Sequence, residues 1–178
     1  MIVVRPLSVD ELGRLAEIDR SEQVETGYRM HGATLEPYAA GWRIPNWFAV
    51  GEDHSVEAHV RSLGELAERG AFFLGAFDED RLVGILAWRP KLTETMDQLA
   101  FLHVSREHRR RGIASRLCDE AETAARNRGA TSIYVSATPS ESAVGFYRSR
   151  GFEPTSDVHL ELFALEPDDI HMTKDLMA

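Results

Sequence analysis

The stretch that most constrains this chain is Val104-Ser105-Arg106-Glu107-His108-Arg109-Arg110-Arg111-Gly112-Ile113-Ala114-Ser115-Arg116-Leu117. A largely apolar run, Gln98–Val104, feeds a polar turn, and the turn opens a segment whose Ile113, Leu117, Ala121 and Ala124 recur at helical spacing. Gly112 and Ala114 fall where the chain enters that helix. Small residues there let an anion approach the free N–H groups of the first turn, and the helix dipole favours negative charge. A strand, turn and helix of this kind suit a pyrophosphate. Two better-known phosphate loops are excluded: no Gly-x-Gly-x-x-Gly follows the strand, and no Gly-Lys-Ser/Thr stands ready for magnesium. The competing reading, a solvated charge run at Arg109–Arg111 beside an ordinary helix start, stays open on spacing alone.

Around this stretch the pattern alternates between strands and helices. Ile2–Pro6 reads as a strand, and Ser8 stands three residues before Glu11 as a capping box for a helix carrying Leu12, Leu15 and Ile18. Ser55–Arg69 places Val56, Val60, Leu63 and Ala67 on one helical face. Ala71–Phe77 and Leu82–Trp88 form a hairpin, Ser132–Ala137 a strand, and Glu141–Arg150 a helix stopped by Gly151. Val158–Phe163 and Ile170–Lys174 read as a closing pair of strands. Ser21–Phe48 predicts only a short hairpin, Gly27–Met30 with Thr34–Tyr38, inside an irregular, aromatic-rich connection. The order predicts an α/β (α+β) fold with a mixed, mostly antiparallel central sheet and flanking helices, as one domain over residues 1–178.

Composition narrows the function class. Of the 178 residues 43% are hydrophobic, enough for a core, yet no run approaches the roughly 18 apolar residues of a membrane span. The first residues lack a signal peptide's basic and apolar regions, and Cys118 is the single cysteine. The expectation is a cytoplasmic protein with no membrane association, no disulfide and no metal. A formal net charge of −9 argues against non-specific nucleic-acid binding. It suits a cationic small molecule, although acidity often serves solubility alone.

Arg109-x-x-Gly112-x-Ala114, between an apolar strand and an amphipathic helix, resembles the Arg/Gln-x-x-Gly-x-Gly/Ala signature of the GNAT family of N-acetyltransferases. Ala143-Val144-Gly145-Phe146-Tyr147-Arg148-Ser149-Arg150-Gly151-Phe152 resembles that family's A-x-x-F-Y-x-x-x-G-F block, and the two blocks with their strands cover roughly residues 71–152. The resemblance implies acetyl-coenzyme A as cosubstrate and a sheet splayed between Gln98–Val104 and Ser132–Ala137. Residues 71–178 become a coenzyme-binding core and residues 1–70 a variable acceptor-side region. Backbone groups of Leu102, His103 and Val104 are implied for the pantetheine amides. N–H groups of Arg109, Arg110, Arg111, Gly112, Ile113, Ala114 and Ser115 are implied for the pyrophosphate. Ser140 replaces an Asn that often helps hold the coenzyme, and reads equally as a helix cap. Arg106, Arg110, Arg148 and Arg150 are candidates for the outer phosphate. A homodimer through the terminal strands is left open.

Attack of an amine on a thioester needs a base, oxyanion stabilisation and an acid for the departing thiolate. An alkylamine with a pKa near 10 arrives protonated. The resemblance implies Tyr147 as general acid in a direct attack within a ternary complex. Gln98 stands where the family often carries a Glu and cannot take a proton; Asp97 and His103 are base candidates, Glu94 is close in sequence, and a water chain to one of these is equally open. For the small-molecule amine acceptor, Glu22, Glu25 and Glu36 beside Tyr28 and Trp42 offer charge and ring faces for an ammonium. Protein or peptide amines, or a non-catalytic acyl-coenzyme A sensor, are the alternatives.

Overall fold

The computed structural model describes residues 1–177. Strand β1 (Ile2–Leu7) leads into a 3-10 segment, Val9–Glu17, whose entry is fixed by the Ser8 N–H donating to the Glu11 carboxylate at 3.1 Å. There follow β2 (Glu22–His31), β3 (Thr34–Ile44), α1 (Val56–Glu68), β4 (Phe72–Asp78), β5 (Arg81–Arg89) and β6 (Met96–Val104). The chain closes with α2 (Ile113–Asn127), β7 (Ser132–Ala137), α3 (Glu141–Ser149), β8 (Glu153–Pro154), α4 (Leu160–Leu165) and β9 (Ile170–Asp175). Seven strands form one sheet in the order β1-β4-β5-β6-β7-β9-β8. Every pairing is antiparallel except β6 with β7.

Helices cover both faces of the sheet, so the central strands are apolar on both sides. On one face Leu12, Leu15, Ile18 and Leu63 bury against Phe73, Phe77, Leu82 and Ile85. On the other, Ile113, Leu117, Ala121 and Ala125 of α2 bury against Ala76, Val83, Leu86 and Trp88. Gly84 brings α2 in close: a Cβ there would stand 3.0 Å from Ile113 Cγ2.

Two expectations are corrected. Most of residues 21–48 is regular, because β2 and β3 pair from Glu22↔Ile44 to His31↔Thr34 around the expected His31-Gly32 turn, and only the stretch after Ile44 stays irregular. The alternation was hidden by Gly27, by Pro37, and by a register shift past Val24 that places Gly41 at φ 66°. Gly27 is required by packing, since a side chain there would overlap the Tyr38 ring. Residues 158–163 do not form a strand: Leu160–Leu165 is a short helix that buries only Leu162. The closing strand β9 pairs instead with β7 and with the two-residue β8.

Candidate active site

The sheet is split where the resemblance places the split. β6 and β7 pair only over Met96↔Ser132, Asp97↔Ile133 and Gln98↔Tyr134. Beyond Gln98, β6 stays bonded to β5 as far as Val104, while β7 stays bonded to β9 as far as Ala137. The register shifts between Ala87 and Trp88, whose partners are Phe101 and Leu99, so Ala100 is an extra residue. A bulge of this kind bends its strand and ends pairing. Leu102, His103 and Val104 therefore lie on a β6 edge that, among the described residues, no strand of the sheet covers. Such an edge accepts an extended chain carrying amides.

That edge ends at the arginine turn. Ser105 is buried, its N–H bonded to the Val83 carbonyl at 2.8 Å and its hydroxyl accepting the Asp19 N–H at 3.1 Å. Arg110 and Gly112 take left-handed conformations, φ 61° and 76°. The first bond across the start of α2 runs from the Arg116 N–H to the Gly112 carbonyl at 3.0 Å, so helical bonding leaves the N–H groups of Ile113, Ala114 and Ser115 free. A Cβ built on Gly112 meets nothing within 4 Å. The turn is an open anion cradle, and it fits a pyrophosphate.

The arginines divide their work. Arg109 turns inward, donating to Glu22 at 2.9 Å, to the Arg20 carbonyl at 2.9 Å and to the Val104 carbonyl at 3.1 Å. Its side chain braces the turn, while Arg110 and Arg111 are exposed beside the cradle. Arg150 is paired with Asp119 at 2.7 Å and Glu122 at 2.9 Å and is not available to an outer phosphate; Arg106 and Arg148 are exposed.

Tyr147 lies on α3, buried against Phe146 and Phe152 at ring distances of 5.3 and 5.4 Å. Burial raises its phenol above the ordinary value, and Cys118, Asp169 and Glu166 push the same way. It stays protonated at neutral pH. Ser140 caps α3, accepting the Ala143 N–H at 3.3 Å, and is buried. Cys118 is buried, with its thiol pushed up to about 12 chiefly by burial, and is unreactive.

The two base candidates are differently placed. Asp97 is buried and accepts from Trp88 Nε1 at 2.8 Å, the Lys91 N–H at 2.9 Å and Arg128 Nη2 at 2.8 Å. Those donors occupy the carboxylate on the α2 side of the sheet, where it ties β5, β6 and α2 together. Asp97→Asn is expected to cost about 1.5–3 kcal/mol, the range for hydrogen bonds to a charged group. Turnover per folded molecule should stay within about twofold, read by denaturant melts beside active-site-normalised kinetics. His103 projects to the opposite face, 4.5 Å from the Phe101 ring centroid and 6.2 Å from Trp47. Burial, then Arg20, His59 and Arg109, hold its imidazole well below the ordinary value. It is neutral at pH 7 but a weak base.

The three candidate acceptor carboxylates do not converge. Glu22 is taken by Arg109, Glu36 at the hairpin tip faces His31 at 3.2 Å and Arg29 at 3.8 Å, and Glu25 is exposed. Tyr28 packs against the core beside Met30, and its N–H bonds the Pro139 carbonyl at 2.9 Å. Trp42 is half-buried opposite Val24. The hairpin instead spans the wide end of the gap: Glu22 is tied to the turn after β6, and Gly27 bridges Ser140 after β7. The charges of Asp169 and Glu166, in the turn before β9, help raise the Tyr147 phenol. Sequence reasoning passed over them because Glu166-Pro167-Asp168-Asp169 reads as an ordinary turn. Only the pairing of β9 with β7 brings it to the gap.

The profile of the Acetyltransferase (GNAT) family matches residues 37–152. Human N-acetyltransferase 8 is 37% identical over 95 residues, covering 51% of this chain and 42% of that protein, so the chain spans less than half of this relative's length. Nourseothricin acetyltransferase superposes with a TM-score of 0.73 at 18% identity, covering 98% of both chains. PaiA N-acetyltransferase from Thermoplasma acidophilum, solved in complex with coenzyme A, superposes with a TM-score of 0.64 at 19% identity, covering 98% of this chain and 99% of that one. The splayed strands, the cradle before α2 and the matched residues agree: the chain belongs to the acetyltransferase (GNAT) family.

Proposed function

We propose that this chain transfers an acetyl group from acetyl-coenzyme A to the primary amine of a small cationic molecule, by direct attack in a ternary complex. The observation that carries the reading is the uncovered β6 edge running into the open N–H cradle before α2. Backbone groups of Leu102 and His103 and the N–H of Val104, whose carbonyl accepts Arg109 Nε at 3.1 Å, hold the pantetheine amides, and the N–H groups from Arg109 through Ser115 hold the pyrophosphate. Ser140 holds the start of α3, and Tyr147 offers its proton to the leaving sulfur. Bound acetyl-coenzyme A supplies an acetyl group activated as a thioester.

The chain works as one catalytic domain, with residues 71–178 holding the coenzyme and residues 1–70 shaping the acceptor side. A small acceptor is favoured because β2 is tied both to the turn after β6 and to Ser140 after β7, across the wide end of the gap. The test is thiol release from acetyl-coenzyme A across a panel of amines, polyamines and aminated antibiotics, with lysine peptides as competitors. Turnover of at least one small amine, exceeding that of every peptide, is expected. Failure of acetyl-coenzyme A to bind would overturn the reading, and faster peptide turnover would replace its acceptor half.

A further inference from the structure

The face of the gap opposite Tyr147's helix holds a polar array that the coenzyme-binding elements leave unused. Gln98 and Tyr134 are register partners and share that face, and Ser136 follows Tyr134 onto it by strand alternation. Gln98 is 6% exposed, and its Oε1 has no hydrogen-bond partner among the described residues. A buried amide oxygen left without a donor is costly, and it can be satisfied only by an N–H or O–H.

Next along this face a hydrogen-bond chain fixes the turn before β9. The Tyr134 hydroxyl accepts the His159 N–H at 3.1 Å, so its own proton goes to His171 Nδ1 at 2.7 Å. His171 is thereby the Nε2–H tautomer, and it donates to the Glu166 carbonyl at 3.0 Å. The chain pins Glu166 beside Ser136; burial raises its carboxyl above the ordinary value, and the Ser136 hydroxyl acts in the opposite direction. Asp169 is held one turn away, its N–H bonded to the Glu166 carbonyl at 3.3 Å. His54, left-handed at φ 65° in the loop before α1, stands 5.8 Å from His59. Behind it stand His59 and Phe101, 5.4 Å apart. His59 is held neutral by burial, so this aromatic wall does not repel a cation. Arg89, the register partner of Gln98, shares this face; it stands 3.6 Å from Glu161, which Arg69 engages at 2.7 Å, and its Nη1 has no hydrogen-bond partner among the described residues.

We propose that the acceptor's primary ammonium binds on this face, with one N–H on Gln98 Oε1 and its charge against Glu166 and Asp169, and that this carboxylate pair takes its proton. The inference rests on the amine-acetylation reading and adds the base and the amine subsite to it. In the step, an N–H bond breaks and its electron pair remains on nitrogen as the attacking lone pair. An O–H bond forms on the carboxylate pair, which later passes the proton to water. Burial, then the charges of Glu166 and Asp168, lift the Asp169 carboxyl to about 7, where a base works well at neutral pH. The orphaned Gln98 oxygen, independent of the acidic residues, calls for the same kind of donor.

The probe is 2-phenylethylammonium, suited to an aromatic wall opposite carboxylates, with 2-phenylethanol as its uncharged counterpart. Both are titrated calorimetrically into the full chain, and coenzyme A affinity is measured in parallel. Wild type is expected to prefer the amine by tenfold or more, roughly the worth of one charge-assisted hydrogen bond. Glu166→Gln with Asp169→Asn should erase that preference and lower kcat by about 10²-fold, with coenzyme A affinity unchanged. Gln98→Ala should weaken binding of both probes several-fold, because an N–H or an O–H can donate to its Oε1. The single carboxylate variants, on a surface turn, keep the test intact if the double variant unfolds, and each should lose part of the preference. A wild type with no preference, or carboxylate variants that retain it, overturns the inference while coenzyme binding still stands. Loss of coenzyme A binding by wild type would instead sink the acetylation reading.

Discussion

Gly112→Glu is expected to abolish acetyl-coenzyme A binding in a protein that remains folded. The position has room, because nothing lies within 4 Å of a Cβ placed there. Its φ of 76° costs a side chain about 1–2 kcal/mol, and a carboxylate at a helix N-terminus returns about 0.3–1 kcal/mol of that. Stability is nearly balanced, and binding is not. A negative charge about 4 Å from a phosphate, at the screening typical of a protein surface, costs about 4 kcal/mol, which is roughly 10²–10³ in affinity. Wild type at a hundredfold excess of coenzyme over its dissociation constant should gain about 2.7 kcal/mol, a thermal shift of about 5–10 °C for a chain of this size. The variant should show none. Gly112→Ala carries the strain without the charge and should keep most of the shift. An undiminished shift in the glutamate variant would move the pyrophosphate away from this turn.

Legibility followed the range of the interactions. The cradle could be read because its determinants are local: Gly112 supplies the left-handed turn, and Ile113, Leu117 and Ala121 announce the helix behind it. Tyr147 was legible through a motif, since its neighbours Phe146 and Phe152 repeat a family pattern. The acceptor side was not legible in the same way. Glu22, Glu25 and Glu36 sit close together in sequence, but alternation along β2 and β3 sends them to different surroundings, and Arg109 consumes the first. Asp97 looked available only because its donors lie 6, 9 and 31 residues away. Glu166 and Asp169 reach the gap solely through the β7–β9 register, which no local pattern encodes. Leu160–Leu165 misled because its apolar residues suit either a strand or a helix. Tertiary placement on top of Leu92 and Tyr134 decided for the helix.

Tyr147→Phe should lower kcat by about 10²-fold, the low end for general acid catalysis, and leave coenzyme A affinity within about twofold. The substitution keeps the ring that packs on Phe146 and Phe152, so the fold and the coenzyme site are preserved. What disappears is the phenolic proton on α3. The direction of its pKa shift sets the pH signature. Burial and the adjacent Cys118, Asp169 and Glu166 all raise the phenol above its ordinary value of 10, so it is protonated throughout the assay range. The wild-type to variant ratio should therefore stay constant from pH 6 to pH 9, and any bell in the wild-type profile belongs to the base. A phenol this weakly acidic gives a hydrogen bond to a developing thiolate more readily than it surrenders the proton early. Its contribution accordingly grows as the carbon–sulfur bond breaks. Single-turnover rates isolate that step from product release, and they should fall as far as kcat does. Equal single-turnover rates in both proteins would reduce Tyr147 to a packing residue and send the search for the acid to solvent.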